Sequence, residues 1–128
     1  TGSIAAATAY NGDTLSAQEY NPNIKFVLPK EGALIWVDHW VVYSNSQNRQ
    51  LAYQFLNFIN QPEIAAQNAE YVYTAPANTE SLKYVSQEFL DNPVIFPSSE
   101  QLKNSEVLQP LDGRTLRTRS RIFNKIVN

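Results

Sequence analysis

Residues 29–40 read PKEGALIWVDHW. The run from Ala33 onward is β-branched and aromatic, and it predicts a strand over residues 33–43. One acid, Asp38, interrupts it between Trp36 and Trp40. A buried carboxylate without a partner is costly. Asp38 is therefore exposed, paired within the protein, or paired with something that arrives from outside. On a strand, residues i and i+2 share a face. Trp36, Asp38 and Trp40 then point one way, with Val37, His39 and Val41 on the other.

Working outward, the chain reads as α/β with few strands and about five helices. Small apolar residues ahead of the Asn11-Gly12 turn signal predict a buried strand over 3–9. DTLSAQEYN follows as a short helix capped by Asp13. IKFVLP (24–29) alternates and predicts a strand ended by Pro29. RQLAYQFLNFIN (49–60) is an amphipathic helix, with Leu51, Ala52, Phe55, Leu56 and Ile59 at helical spacing. Pro62 opens a second helix, as proline does in a first turn. VYTAPAN (72–78) is a loop, and 79–93 is a helix with Leu82, Val85 and Phe89 on one face. FPSSEQLKNSE suggests a short helix capped by Ser98 or Ser99. From Asp112 the chain is helical and carries Arg114, Arg117, Arg119, Arg121 and Lys125, half of its ten basic residues. Leu116, Phe123 and Val127 lie on the opposite side. This basic face reads as solvated.

Composition narrows the chemistry. Of 128 residues, 43% are hydrophobic and 17% charged, which supports a packed core and argues against disorder. With no cysteine and one histidine, thiolate metal sites, disulfides, His-based metal centres and Ser-His-Asp triads drop out. His39 reads as a structural histidine. A net charge of −2 gives no field that favours nucleic acid. No cofactor motif is present. Glu31 and Asp38 are candidate acids, but no nucleophile–base pair accompanies them, and an enzyme is not expected. No apolar run reaches the length of a transmembrane helix. No leader pattern opens the chain, whose first residues read as a strand entering mid-fold, in a truncated chain or in a mature product whose leader lies elsewhere.

Four motifs in order then carry a resemblance: YNG (10–12), PKEGALIWVD (29–38), AYQFLNFINQPEIAAQNAE (52–70) and YTAPAN (73–78). Together they resemble the C-terminal part of the periplasmic polyamine-binding proteins, the spermidine and putrescine receptors of ABC importers. The resemblance runs from about residue 8 to the end. It implies the C-terminal portion of a two-lobed, type II periplasmic-binding-protein fold. The chain would be one region, 1–128, with about 1–35 from one lobe and about 36–128 returning to the other. Family members are longer, so the other wall of the cleft is expected outside these residues.

The resemblance assigns Trp36 and Asp38 to ligand contact and places Tyr10 at a ring position usually held by tryptophan. Tyr73 matches the family's loop tyrosine, with Tyr71 or Thr74 favoured by a one-residue shift. Gln109 corresponds to a polar side chain near the end of the cleft. A polyamine suits such a set: a carboxylate pairs with an ammonium, and ring faces cover the methylenes. The implied partners are a polyamine and an ABC permease. The same fold could instead serve as the extracellular sensor of a signalling protein, with the final RTRSRIFNKIVN leading toward a membrane span. Other small solutes are the remaining alternative. Half a cleft with exposed apolar strands is also expected to dimerise or swap elements. The residues VDHWVVYSN depart from the family's usual small and aliphatic run, which puts the pocket floor in question.

Overall fold

A computed structural model describes residues 4–127. Its elements are α1 (Asn11–Tyr20), β1 (Leu34–Ile35), α2 (Arg49–Ile59), α3 (Pro62–Val72), a 3-10 helix (Thr79–Lys83), α4 (Gln87–Leu90), α5 (Ser99–Leu102), β2 (Glu106–Val107) and α6 (Gly113–Val127). Helices and one small parallel sheet make the α/β class expected.

The core is assembled around α3. Its Ala66 and Ala69 are buried, and their small side chains let α1 and the 3-10 helix approach. Leu15 of α1 joins Ala69, Phe89 and Ile95 in one cluster, with Tyr73, Val85, Val94 and Phe96 packed around it. Phe89 and Phe96 meet edge to face at 5.6 Å. Asn11 ties the start of α1 to this cluster by donating from Nδ2 to the Val94 carbonyl at 3.0 Å. Gly12 is required here: a Cβ at that position would lie 2.7 Å from the Val72 carbonyl oxygen.

A second assembly joins 29–35 to 104–108. Gly32 closes a turn, its N–H donating to the Pro29 carbonyl at 3.0 Å. Its φ of +99° is one that side-chain-bearing residues avoid, and a Cβ there would sit 2.0 Å from the Asn104 carbonyl oxygen. The turn delivers the chain to a parallel ladder in which Leu34 is level with Glu106 and Ile35 with Val107. The Glu106 and Leu108 N–H groups donate to the Ala33 and Ile35 carbonyls, each at 3.0 Å.

Three strand expectations need correction. Over 4–9 there is no strand, and residue 3 of the expected 3–9 strand lies outside the described residues. Residues 24–29 form none either, and the expected 33–43 strand is reduced to Leu34–Ile35. β-Branched runs favour a strand by packing on a pleated neighbour, and only 106–107 supplies one among the described residues. The expected helix over 79–93 is broken: the 3-10 turn stops at Lys83, and Ser86 starts α4 afresh by accepting the Phe89 N–H. Asp13 does not cap α1. Tyr10 holds the N-cap position, without a side-chain cap bond, and Asp13 lies within the first turn.

Other expectations hold in whole or in part. α2 forms over Arg49–Ile59, but of its expected apolar face only Ala52, Leu56 and Ile59 are half-buried, while Leu51 and Phe55 stay exposed. α3 starts at Pro62. Ser98 and Gln101 form a reciprocal capping box on α5. Asp112 starts α6 by accepting the N–H groups of Arg114 and Thr115, both at 2.8 Å.

The buried set is small for so apolar a chain. Its accessible surface is 10976 Å², against about 6,900 Å² for a compact folded monomer of this mass. The excess lies on 36–43, α2 and α6, where large apolar side chains remain exposed.

Candidate functional site

Five residues were expected at the site, and the fold brings three of their chain positions together. The β1–β2 ladder ends at Ile35, so Trp36 is the first residue beyond it. There Trp36 meets Tyr10, at the start of α1, with ring centroids 4.8 Å apart and an interplanar angle of 62°. This is the favourable edge-to-face arrangement of two aromatic quadrupoles. Trp36 is still 42% exposed and Tyr10 60%, so both residues remain partly open to solvent. Gln109 follows the partner side of the same ladder, exposed, with Nε2 3.5 Å from the Val107 carbonyl.

Asp38 lies two residues past Trp36 and is exposed. It has no hydrogen-bond or ion-pair partner among the described residues. Of the three possibilities for this acid, exposure is the one realised. No strand continues beyond Ile35 to enforce a shared face for Trp36, Asp38 and Trp40. Trp40 pairs instead with Phe55 of α2, at 5.7 Å and 75°.

Tyr73 stands apart from this group. It closes α3 in the left-handed region, with φ 53°. Its ring packs against the core, and its hydroxyl donates to the Glu19 carboxylate near the far end of α1. Nine residues of helix separate Tyr10 from Glu19, about 13 Å of rise. The carboxylate acceptor, with its charge, raises the Tyr73 phenol above the ordinary tyrosine range. The 72–74 backbone lies against the start of α1: the Val72 and Tyr73 carbonyl oxygens and Thr74 Cγ2 lie 2.7, 3.2 and 3.3 Å from the Cβ position of Gly12.

Asp13, expected to cap α1, is a further carboxylate close to Tyr10 in sequence. Three positions after Tyr10, it is an exposed carboxylate on the first turn with no partner among the described residues.

Chemically, the arrangement is a partly open aromatic pair with an exposed carboxylate two or three residues after each ring in sequence. Ring faces attract cations, and carboxylates give charge-assisted hydrogen bonds to ammonium groups. Among the described residues no cluster of His, Asp and Glu has the geometry of a metal site. None of their helices is long and apolar enough to cross a membrane.

The fold thus holds a partly exposed aromatic pair, and comparison with known proteins gives the family. Residues 1–97 match the family described as bacterial extracellular solute-binding protein, and the chain belongs to that family. It is similar to the putrescine-binding periplasmic protein PotF of Escherichia coli strain K12, with 30% identity over 98% of this chain and 35% of the relative. A spermidine/putrescine-binding periplasmic protein of the same strain is also 30% identical, over 82% of this chain and 30% of the relative. So is the putrescine-binding periplasmic protein SpuD of Pseudomonas aeruginosa strain UCBPP-PA14, over 98% of this chain and 36% of the relative. The chain spans about a third of the length of the curated relatives it matches. These relatives carry the names of binding proteins.

Proposed function

We propose that this chain supplies one wall of a polyamine site in a periplasmic solute-binding protein that delivers its ligand to an ABC permease. The observation that carries the reading is the half-open Tyr10–Trp36 pair with the unpaired Asp38 two residues away. The names of its relatives, putrescine- and spermidine/putrescine-binding proteins, support the ligand class.

In this mechanism the rings cover the methylene chain while Asp38 holds an ammonium. A second ammonium is assigned to Asp13, an exposed acid three positions after Tyr10. Gln109, beside the end of the ladder, donates or accepts a further hydrogen bond at the rim. Tyr73 acts through position: its anchored ring fixes the 72–74 backbone that packs against the start of α1. The wall belongs to a two-lobed cleft of the type II arrangement, with the other wall formed by residues outside this chain. Lobe closure excludes water, which strengthens every ammonium–carboxylate contact. The ligand leaves chemically unchanged, so the protein is a binder and not an enzyme.

A thermal-shift panel on the natural protein containing this sequence tests the ligand class. Ligands that bind only the native state raise its melting temperature. Putrescine or spermidine should raise it, and neutral sugars and amino acids should not. A shift with a sugar or an amino acid and none with either polyamine would overturn the reading.

A further inference from the structure

Tyr73 holds a backbone conformation that does not suit its residue type. At φ 53° it is the one left-handed residue other than glycine among the described residues. Glycine is the ordinary residue at such a helix end, because a Cβ makes the conformation costly. A residue stays in it only where its surroundings over-determine it, and such residues cluster where a site needs fixed geometry. Three contacts hold Tyr73. Its N–H donates to the Ala69 carbonyl, its ring packs on the core, and its hydroxyl donates to the Glu19 carboxylate.

Glu19 is equally unfavourable for its position. It stands in the last turn of α1, where the helix dipole disfavours a carboxylate, and no basic residue shares that turn. The Tyr73 hydroxyl is its hydrogen-bond partner among the described residues. That bond, with burial and the charges of Glu19 and Glu88, raises the phenol, so it remains a donor throughout the neutral range.

The bond braces α1 along about two turns. The Tyr73 carbonyl oxygen lies 3.2 Å from the Cβ position of Gly12, while its hydroxyl meets Glu19 at the other end of the helix. Gly12 stands between Tyr10 and Asp13. Buried Thr14 ties the first turn to Tyr10, donating its N–H and its hydroxyl to the Tyr10 carbonyl at 3.0 and 2.9 Å. Tyr10 in turn meets Trp36. An acid at the far end of α1 from this pair is thus connected to it through Tyr73 and the start of α1.

We propose that Glu19 is a positioning residue for polyamine recognition: by accepting the Tyr73 hydroxyl it fixes the end of α3 against α1 and so sets the Tyr10–Trp36 pair. The effect on affinity rests on the polyamine reading; the effect on the ring pair does not.

The natural protein containing this sequence is compared with Glu19→Ala, Glu19→Gln, Tyr73→Phe and the double variant Glu19→Ala/Tyr73→Phe. Two signals are read. One is putrescine and spermidine affinity by titration calorimetry. The other is the indole N–H resonance of Trp36 without ligand, assigned with Trp36→Phe, which senses the ring of Tyr10. Glu19→Ala and Tyr73→Phe should each weaken binding about fivefold, the value of one hydrogen bond, and should move the Trp36 resonance alike. The double variant should be no worse than either single one, because the same bond is lost in all three. Glu19→Gln, whose amide oxygen still accepts the hydroxyl, should restore both signals. A merely structural role for this exposed acid would lower the melting temperature of Glu19→Ala and leave both signals in place. Unchanged affinity or an unmoved Trp36 resonance in Glu19→Ala overturns the proposal. Single effects that multiply in the double variant, or a glutamine that behaves as alanine does, overturn it as well. Where the parent binds no polyamine, the polyamine reading fails and the Trp36 resonance alone decides the role of Glu19.

Discussion

Gly32→Ala is expected to damage the protein more than any other single methyl added to this chain. The new Cβ would lie 2.0 Å from the Asn104 carbonyl oxygen, 2.4 Å from its carbon and 2.9 Å from the Ser105 nitrogen. All three are backbone atoms, so no side chain can swing aside. Alanine at φ +99° adds strain of about 1–2 kcal/mol. Forcing the two backbones apart adds about 1–3 kcal/mol, as overpacking does. The total is about 2–5 kcal/mol, and it falls on the junction that holds Ala33, Leu34 and Ile35 to Ser105, Glu106 and Val107. Urea unfolding of the natural protein measures it. With a slope of about 2 kcal/mol per molar, a loss of 3 kcal/mol lowers the midpoint by about 1.5 M. Because the ladder positions Trp36 against Tyr10, ligand affinity should fall as well. A midpoint within about 0.2 M of the parent's, at the same slope, would refute the reasoning.

Ser98→Ala removes the capping box of α5 and should cost about 1 kcal/mol in the same unfolding experiment. Glu70 accepts the Ser86 N–H at 2.7 Å, and that bond holds its carboxyl below the usual glutamate range. Its stabilisation is therefore present above the unfolded glutamate pKa and is lost as pH falls through the lower folded value; Glu70→Gln should flatten the acid limb of a stability–pH profile. Tyr73 has the opposite sign. Its raised pKa means that the contribution of its bond to Glu19 is intact below the unfolded tyrosine pKa and disappears as pH rises through the folded one. Ultraviolet phenolate titration should show one late tyrosine that is absent in Tyr73→Phe.

The helices were legible because their signals are local. Pro62 marks the start of α3, Ser98 the start of α5, and the helical spacing of apolar residues over 49–59 the existence of α2. Strands were overread because a β-rich run reports a preference for a pleated neighbour, and for 24–29 and 36–43 no such neighbour is among the described residues. β2, two residues long in a charged segment, offered no pattern at all. The candidate site was legible as a set and not as a geometry. The resemblance singled out Tyr10 and Trp36, but their contact joins residues 26 positions apart through the turn at Gly32 and the start of α1. The left-handed closure of α3 at Tyr73, which sends its hydroxyl to Glu19, left no trace in a sequence where glycine would be the ordinary signal. Asp13 was misread because an acid near a helix start is most often a cap.

The account stands on an ammonium held by Asp38 beside the Tyr10–Trp36 corner. Titration calorimetry of the natural protein with putrescine and spermidine, repeated on Asp38→Asn, tests it most directly. One polyamine should bind the parent at a single site. Losing a shielded charge pair costs about 2 kcal/mol or more, so Asp38→Asn should weaken binding at least about thirtyfold. Polyamine binding of equal strength in parent and variant would contradict it.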